Sequence, residues 1–148
     1  MIERTKNARF ELKLRFGAKM DTIGEFLTRV RNAGLARHEK VDVPSSKVRV
    51  GIANVLKQGG YIRDFKVVKD GKQGMMRIYL RYLDDGRHAI TKVDRASRPG
   101  RRLYVSCDAI PKVRSGFGIA VLSTSKGIMS DKMAAEQRLG GELVCTLW

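Results

Sequence analysis

Two cysteines, Cys107 and Cys145, and two histidines, His38 and His88, are too few and too scattered for a disulfide framework or a zinc site, and no CxxC spacing is present. The lone thiols read as small buried residues. Long apolar runs are missing as well. None approaches the roughly 20 residues that span a bilayer, and residues 1–20 contain no continuous apolar block of the signal-peptide kind. The chain therefore reads as soluble and cytoplasmic, with no membrane partner. Acidic side chains are scarce relative to basic ones: 15 Asp and Glu against 30 Lys and Arg leave a net charge of +15. That imbalance favours a polyanionic partner.

Catalytic signatures are also lacking. Gly116-Phe117-Gly118 starts a glycine pattern, but Val121 stands where a dinucleotide fingerprint needs its third glycine. Lys126-Gly127 has neither the upstream spacing of a phosphate-binding Walker loop nor a Ser or Thr after the lysine. No Ser-His-acid set or paired carboxylates assemble from neighbouring motifs. The expectation is a binding protein with no enzymatic activity, cofactor or metal.

What is present is basic charge, unevenly placed. Residues 1–20 carry six basic and two acidic side chains, net +4, and residues 86–115 carry eight against two, net +6. Residues 123–148 hold three of each and sum to zero. Residues 1–20 read as a basic arm, although Phe10, Leu12, Leu14 and Phe16 have strand-like spacing.

Beyond the arm, 148 residues fit one domain or two small halves sharing an interface. A helix is predicted from Thr22, after Asp21, with Ile23, Phe26, Leu27 and Val30 forming its buried stripe and Arg29 and Arg31 flanking it. Lys40–Val43 alternates like a strand and stops at Pro44. Ser45 and Ser46 offer a cap to a second helix that presents Val48, Ile52, Val55 and Leu56 on one side and ends at Gly59-Gly60. Strands 61–69 and 75–83 flank a hairpin loop at 70–74.

Asp84-Asp85-Gly86 reads as the boundary between halves, dividing an N-terminal subdomain, 21–84, from a C-terminal one, 85–148. In the second half, 89–93 and 102–105 read as strands around an arginine-rich Pro99-Gly100 turn. Residues 110–114 read as a helical turn with Pro111 at its first position. A strand over 118–122, the loop Ser123-Thr124-Ser125-Lys126-Gly127, a helix near 131–138 and a strand over 143–147 complete the pattern. The fold class expected is α+β: helix, strand, helix and hairpin, then a mostly β half with one short helix.

The 123–127 loop gathers hydroxyls, a lysine and a glycine where the backbone turns, which is chemistry suited to phosphates, sugar hydroxyls and base edges. An ordinary polar turn has the same composition. RNA suits the chain better than duplex DNA: Tyr104 and the Ser/Thr cluster can serve stacking and 2′-hydroxyl contacts, and no helix-turn-helix or zinc finger is visible.

Several motifs together support a family resemblance. Asp21 through Ala33, Pro44-Ser45-Ser46-Lys47, Gly51 through Leu56, Ser97-Arg98-Pro99-Gly100 with Tyr104, Gly118-Ile119-Ala120 with Ser123 through Gly127, and Gly140-Gly141-Glu142 occur in the order and spacing of bacterial small-subunit ribosomal protein eight. Over about residues 20–148 the chain resembles that family. The resemblance implies a primary binder of the central domain of small-subunit rRNA, needed in assembly and placed among neighbouring small-subunit ribosomal proteins. It implies an RNA site at Ser123, Thr124, Ser125, Lys126 and Gly127, shaped by Tyr104 and Glu142, and a secondary contact region at Arg29, Arg31, Ser46 and Lys47. The adjacent Arg95, Arg98, Arg101 and Arg102 are expected, with Lys126, to attract the RNA backbone.

Some relatives also repress their own operon by binding a messenger RNA that mimics the ribosomal site, an expectation belonging to the family and not to these residues. The alternative class is a basic regulatory or scaffolding protein that binds mRNA or another protein. Two departures stand out: residues 1–20 extend beyond the usual family start, and Thr22 and Gly24 stand where many relatives have Pro and Ala.

Overall fold

The computed structural model describes residues 22–69 and 74–148. The basic arm, Asp21 and most of the 70–74 loop lie outside the described residues. Helix α1, Thr22–Leu35, buries Phe26, Leu27, Val30 and Ala33, continuing the expected stripe by one turn. Strand β1, Lys40–Pro44, is followed by helix α2, Lys47–Gln58, capped by Ser46, whose hydroxyl accepts from the Arg49 N–H at 3.2 Å.

The buried face of α2 loses Val48 from the expected set and gains Arg49 and Ala53. Val48 is 39% exposed, whereas Arg49 is 6% exposed and begins an i, i+3, i+4, i+7 stripe with Ile52, Ala53 and Leu56. Arg49 can occupy an inward position because its guanidinium donates to the carbonyls of Pro44 at 2.7 Å and Thr22 at 3.0 Å, tying the end of β1 to the start of α1. Burial lowers its pKa, while the field of Glu25 acts in the opposite direction.

Strands β2, Ile62–Val68, and β3, Met75–Leu80, pair antiparallel, and β3 also pairs with β1, giving the order β1-β3-β2. Met76, Ile78 and Leu80 alternate inward as a half-buried strand requires.

The second half comprises β4, Val93–Arg95; β5, Tyr104–Val105; a 3₁₀ turn, Val113–Gly116; β6, Ile119–Thr124; β7, Gly127–Ser130; α3, Asp131–Glu136; and β8, Gly141–Leu147. Its sheet runs β4-β8-β6-β7, with β5 also paired to β8. The expected strand at 89–93 is displaced toward β4, because the 91–92 amides bond the Trp148 carbonyl and ladder pairing with β8 begins only at Val93. The turn expected at 110–114 also forms later. Its Val113 is buried, and Gly118 N–H returns to the Val113 carbonyl.

One hydrophobic core joins α1, α2 and the first sheet to Ile90, Val121, Val144, Cys145 and Leu147 from the second half. Gly51 allows α2 to approach β7 closely: a Cβ there would lie 2.8 Å from the Ile128 side chain. A second core places Ala134 of α3 with Ala120, Leu122, Met129 and Leu143.

Cys145 is fully buried, which pushes its thiol pKa up to about 12, but Cys107 is only partly covered, contrary to the expectation for both thiols. Since Cys145 remains protonated below that value, one thiol per chain is expected to react with a disulfide reagent at neutral pH, with the second reacting only on unfolding. Equal labelling rates for the two in the folded protein would contradict this packing.

Candidate nucleic-acid interface

The 123–127 segment is the reversal of a β-hairpin. Thr124 pairs with Gly127 across it, leaving Ser125 and Lys126 exposed at the tip. A strand, β7, follows the turn instead of leading directly into the expected helix; α3 begins only after Ser130. The Thr124 hydroxyl accepts from the Lys126 N–H at 3.2 Å and donates to the Gly127 carbonyl at 2.9 Å. Gly127 has φ +109°, in the region where glycine is favoured. Thr124 therefore shapes the tip from within, and Ser125 and Lys126 are the groups it presents.

Removing that hydroxyl loosens the turn. Thr124→Ala is expected to cost about 1 kcal/mol of local stability and to reduce discrimination between target and scrambled RNA, whereas Thr124→Ser retains both properties. Unchanged discrimination in the alanine variant would remove the turn from the recognition surface.

Sheet register extends this surface sideways. Tyr104 lies opposite Glu142, and Glu142 lies opposite Ser123, so one cross-strand row presents all three on the same face. Tyr104 is 69% exposed. Glu142 is mostly covered, and the Arg102 guanidinium donates to both its oxygens at 3.3 Å. The glutamate thus neutralises Arg102 and holds it beside the tyrosine.

Two adjacent glycines at the α3–β8 junction fit β8 into this row. A Cβ on Gly141 would lie 2.2 Å from the Ser123 carbonyl oxygen, and one on Gly140 would lie 2.6 Å from that of Val105. Their juxtaposition is the signal in the sequence, since only glycine permits such backbone approach.

The Pro99-Gly100 turn forms as expected, with Arg98 and Arg101 exchanging backbone hydrogen bonds at 3.0 and 2.9 Å. Ser97 is fully buried beneath it. Its hydroxyl accepts from the Leu103 N–H at 3.2 Å and its own N–H donates to the Leu143 carbonyl at 3.0 Å. Arg98 and Arg101 remain exposed, while Arg95 donates to the Val144 carbonyl at 2.6 Å.

Helix α1 reaches the same region. A groove of about 550 Å³ lies between α1 and β4, lined by Arg29, Arg31, Arg95 and Arg98 together with Glu25 and Asp94. Four arginines from two distant parts of the chain therefore share one concave surface. Ser46 and Lys47 occupy a separate open hollow with Ser45 and Val50.

Residues 21–148 match the family model described as ribosomal protein S8. The chain belongs to the ribosomal protein S8 family. A small ribosomal subunit protein uS8 from Bdellovibrio bacteriovorus is 65% identical over 129 residues, covering 87% of this chain and all of the relative. The proteins of the same description from Geotalea daltonii and Geobacter metallireducens are 55% and 53% identical over 128 residues, each match covering 86% of this chain and 97% of the relative. The family match begins where the basic arm ends, and it includes the hairpin tip, the Tyr104–Glu142–Ser123 row and the arginine groove.

Proposed function

We propose that this chain is a structural constituent of the small ribosomal subunit, located with it in the cytoplasm, and that it acts by binding subunit RNA and not by catalysis. The observation supporting this reading is the joining of a shape-reading row, Tyr104–Glu142–Ser123 with the Ser125-Lys126 tip, to a sheet that also carries the arginine groove.

Binding has two layers. Arg29, Arg31, Arg98 and Arg101 contact phosphates and supply the salt-dependent, sequence-independent affinity. Tyr104 stacks on an exposed base, while Ser123, Ser125 and the turn backbone meet sugar hydroxyls and base edges. Glu142 orients Arg102 and lowers the local positive charge, which favours shape over indiscriminate phosphate contact. The hollow at Ser46 and Lys47 forms a secondary contact. Neighbouring ribosomal proteins adjoin the faces left uncovered, and a messenger RNA that mimics the ribosomal site engages the same row.

Titration against a central-domain rRNA fragment and a scrambled RNA of equal length, at several salt concentrations, tests the reading. Tighter binding to the native fragment at every salt concentration is expected. Equal affinity would leave only a basic scaffolding protein.

A further inference from the structure

Phe117 is 88% exposed, unusual for a large apolar side chain, and the backbone places it there. On one side, Arg114, Ser115 and Gly116 have φ of 51°, 56° and 96°, a left-handed run that two non-glycine residues adopt only under constraint. On the other, Gly118 is confined because a Cβ would lie 2.6 Å from both the Leu147 carbonyl oxygen and the Val113 side chain. The Tyr61 hydroxyl donates to the Phe117 carbonyl at 3.4 Å, linking this bend to the end of α2. Here local strain presents a ring to solvent that could otherwise contribute to a core.

Beside the ring is a groove of about 370 Å³ lined by Gln58, Tyr61, Phe117, Ser130 and Lys132 among others. Its accessible charge is positive. Lys132 is the charged side chain in its lining, Arg114 stands outside that lining with its guanidinium 5.2 Å from the Trp148 ring centre, and Asp131, between Ser130 and Lys132, is buried. The site is distinct from the hairpin tip, because Phe117 lies just before β6 begins and Thr124 at its far end, with the strand's length, roughly 17 Å by the rise of an extended strand, between them.

We infer that this groove is a second RNA contact, taking one unpaired nucleotide with its base stacked on Phe117 and its phosphate on Lys132. It rests on the reading of the chain as an RNA binder. The lining holds a lysine and no carboxylate, which favours a phosphate-bearing occupant; a docked protein segment would instead use the apolar Val55 and Ile119 of the same groove and would accept any apolar side chain at 117, which the leucine variant distinguishes. Single-stranded RNA needs one flat ring and nearby cations, and it stacks without sequence preference.

The test uses the full chain and a fluorescein-labelled adenylate decamer at low salt, followed by ultraviolet cross-linking with residue-level mapping. A cross-link at Phe117 is expected. In a background with Arg29, Arg31 and Arg98 replaced by glutamine, so that the arginine groove no longer captures the decamer, Phe117→Ala and Phe117→Leu should weaken decamer binding by roughly tenfold or more, while Phe117→Trp should preserve it. The site's exposure makes these substitutions compatible with folding. Unchanged affinity in the leucine variant would show that an apolar side chain, not a stacking ring, suffices, and unchanged affinity in the alanine variant would remove the contact altogether; either overturns the inference. Failure of the rRNA reading has a separate signature, equal affinity for native and scrambled fragments, and the native-to-scrambled ratio is expected to remain unchanged in Phe117→Ala.

Discussion

Gly141→Ala is expected to destabilise the chain by about 2–3 kcal/mol, at the upper end of the cost of overpacking, and to abolish discrimination between native and scrambled RNA. The added methyl would lie 2.2 Å from the Ser123 carbonyl oxygen, 3.0 Å from its carbon and 3.2 Å from the Thr124 Cα. These are backbone atoms of the adjoining strand, so no side-chain rotation relieves the clash. β8 must move away from β6 at the row containing Glu142, and the turn that Thr124 closes moves with it.

Gly127→Ala provides a control. Its Cβ would meet open space, leaving only the backbone cost of φ +109°, about 1–3 kcal/mol. Urea unfolding compares the two stabilities, and RNA titration compares their recognition. If Gly141→Ala matched the wild type in both measurements, the close approach of β6 and β8 would not be what shapes the site.

A triple replacement of Arg29, Arg31 and Arg98 by glutamine has the second large expected effect. All three line the groove between α1 and β4. Arg95 is spared because it bonds the Val144 carbonyl, and Arg102 because Glu142 already pairs with it. If each of the three arginines neutralises one phosphate, the slope of log affinity against log salt should flatten by about two to three units. Native and scrambled RNA should weaken together, preserving their ratio. A lost ratio with an unchanged slope would assign base recognition to these arginines and contradict the division between attraction and shape reading.

The helices were legible wherever apolar spacing determined burial, as in Phe26, Leu27 and Val30. That logic failed at Arg49, because an arginine becomes an inward residue only when distant carbonyls, here those of Pro44 and Thr22, accept its protons. β7 was hidden for a different reason: four residues between a turn and a helix carry too short a pattern to distinguish strand from loop.

The candidate site divided similarly. Its turn chemistry was local and readable at Ser123–Gly127 and at Pro99-Gly100. Its assembly was not, since pairing Tyr104 with Glu142 and Glu142 with Ser123 depends on non-local register, and the groove depends on α1 packing beside β4. Charge counting alone also could not show that Arg102 pairs with Glu142, because that contact joins residues 40 positions apart.

Amide chemical-shift mapping by NMR, as the central-domain rRNA fragment is added to the labelled full chain, tests the central claim most directly. The largest perturbations are expected at 97–104, 123–127 and 140–142, with a second group at 29–31. Perturbations confined to β1, β2 and β3, with the hairpin tip and the Tyr104 strand unmoved, would contradict it.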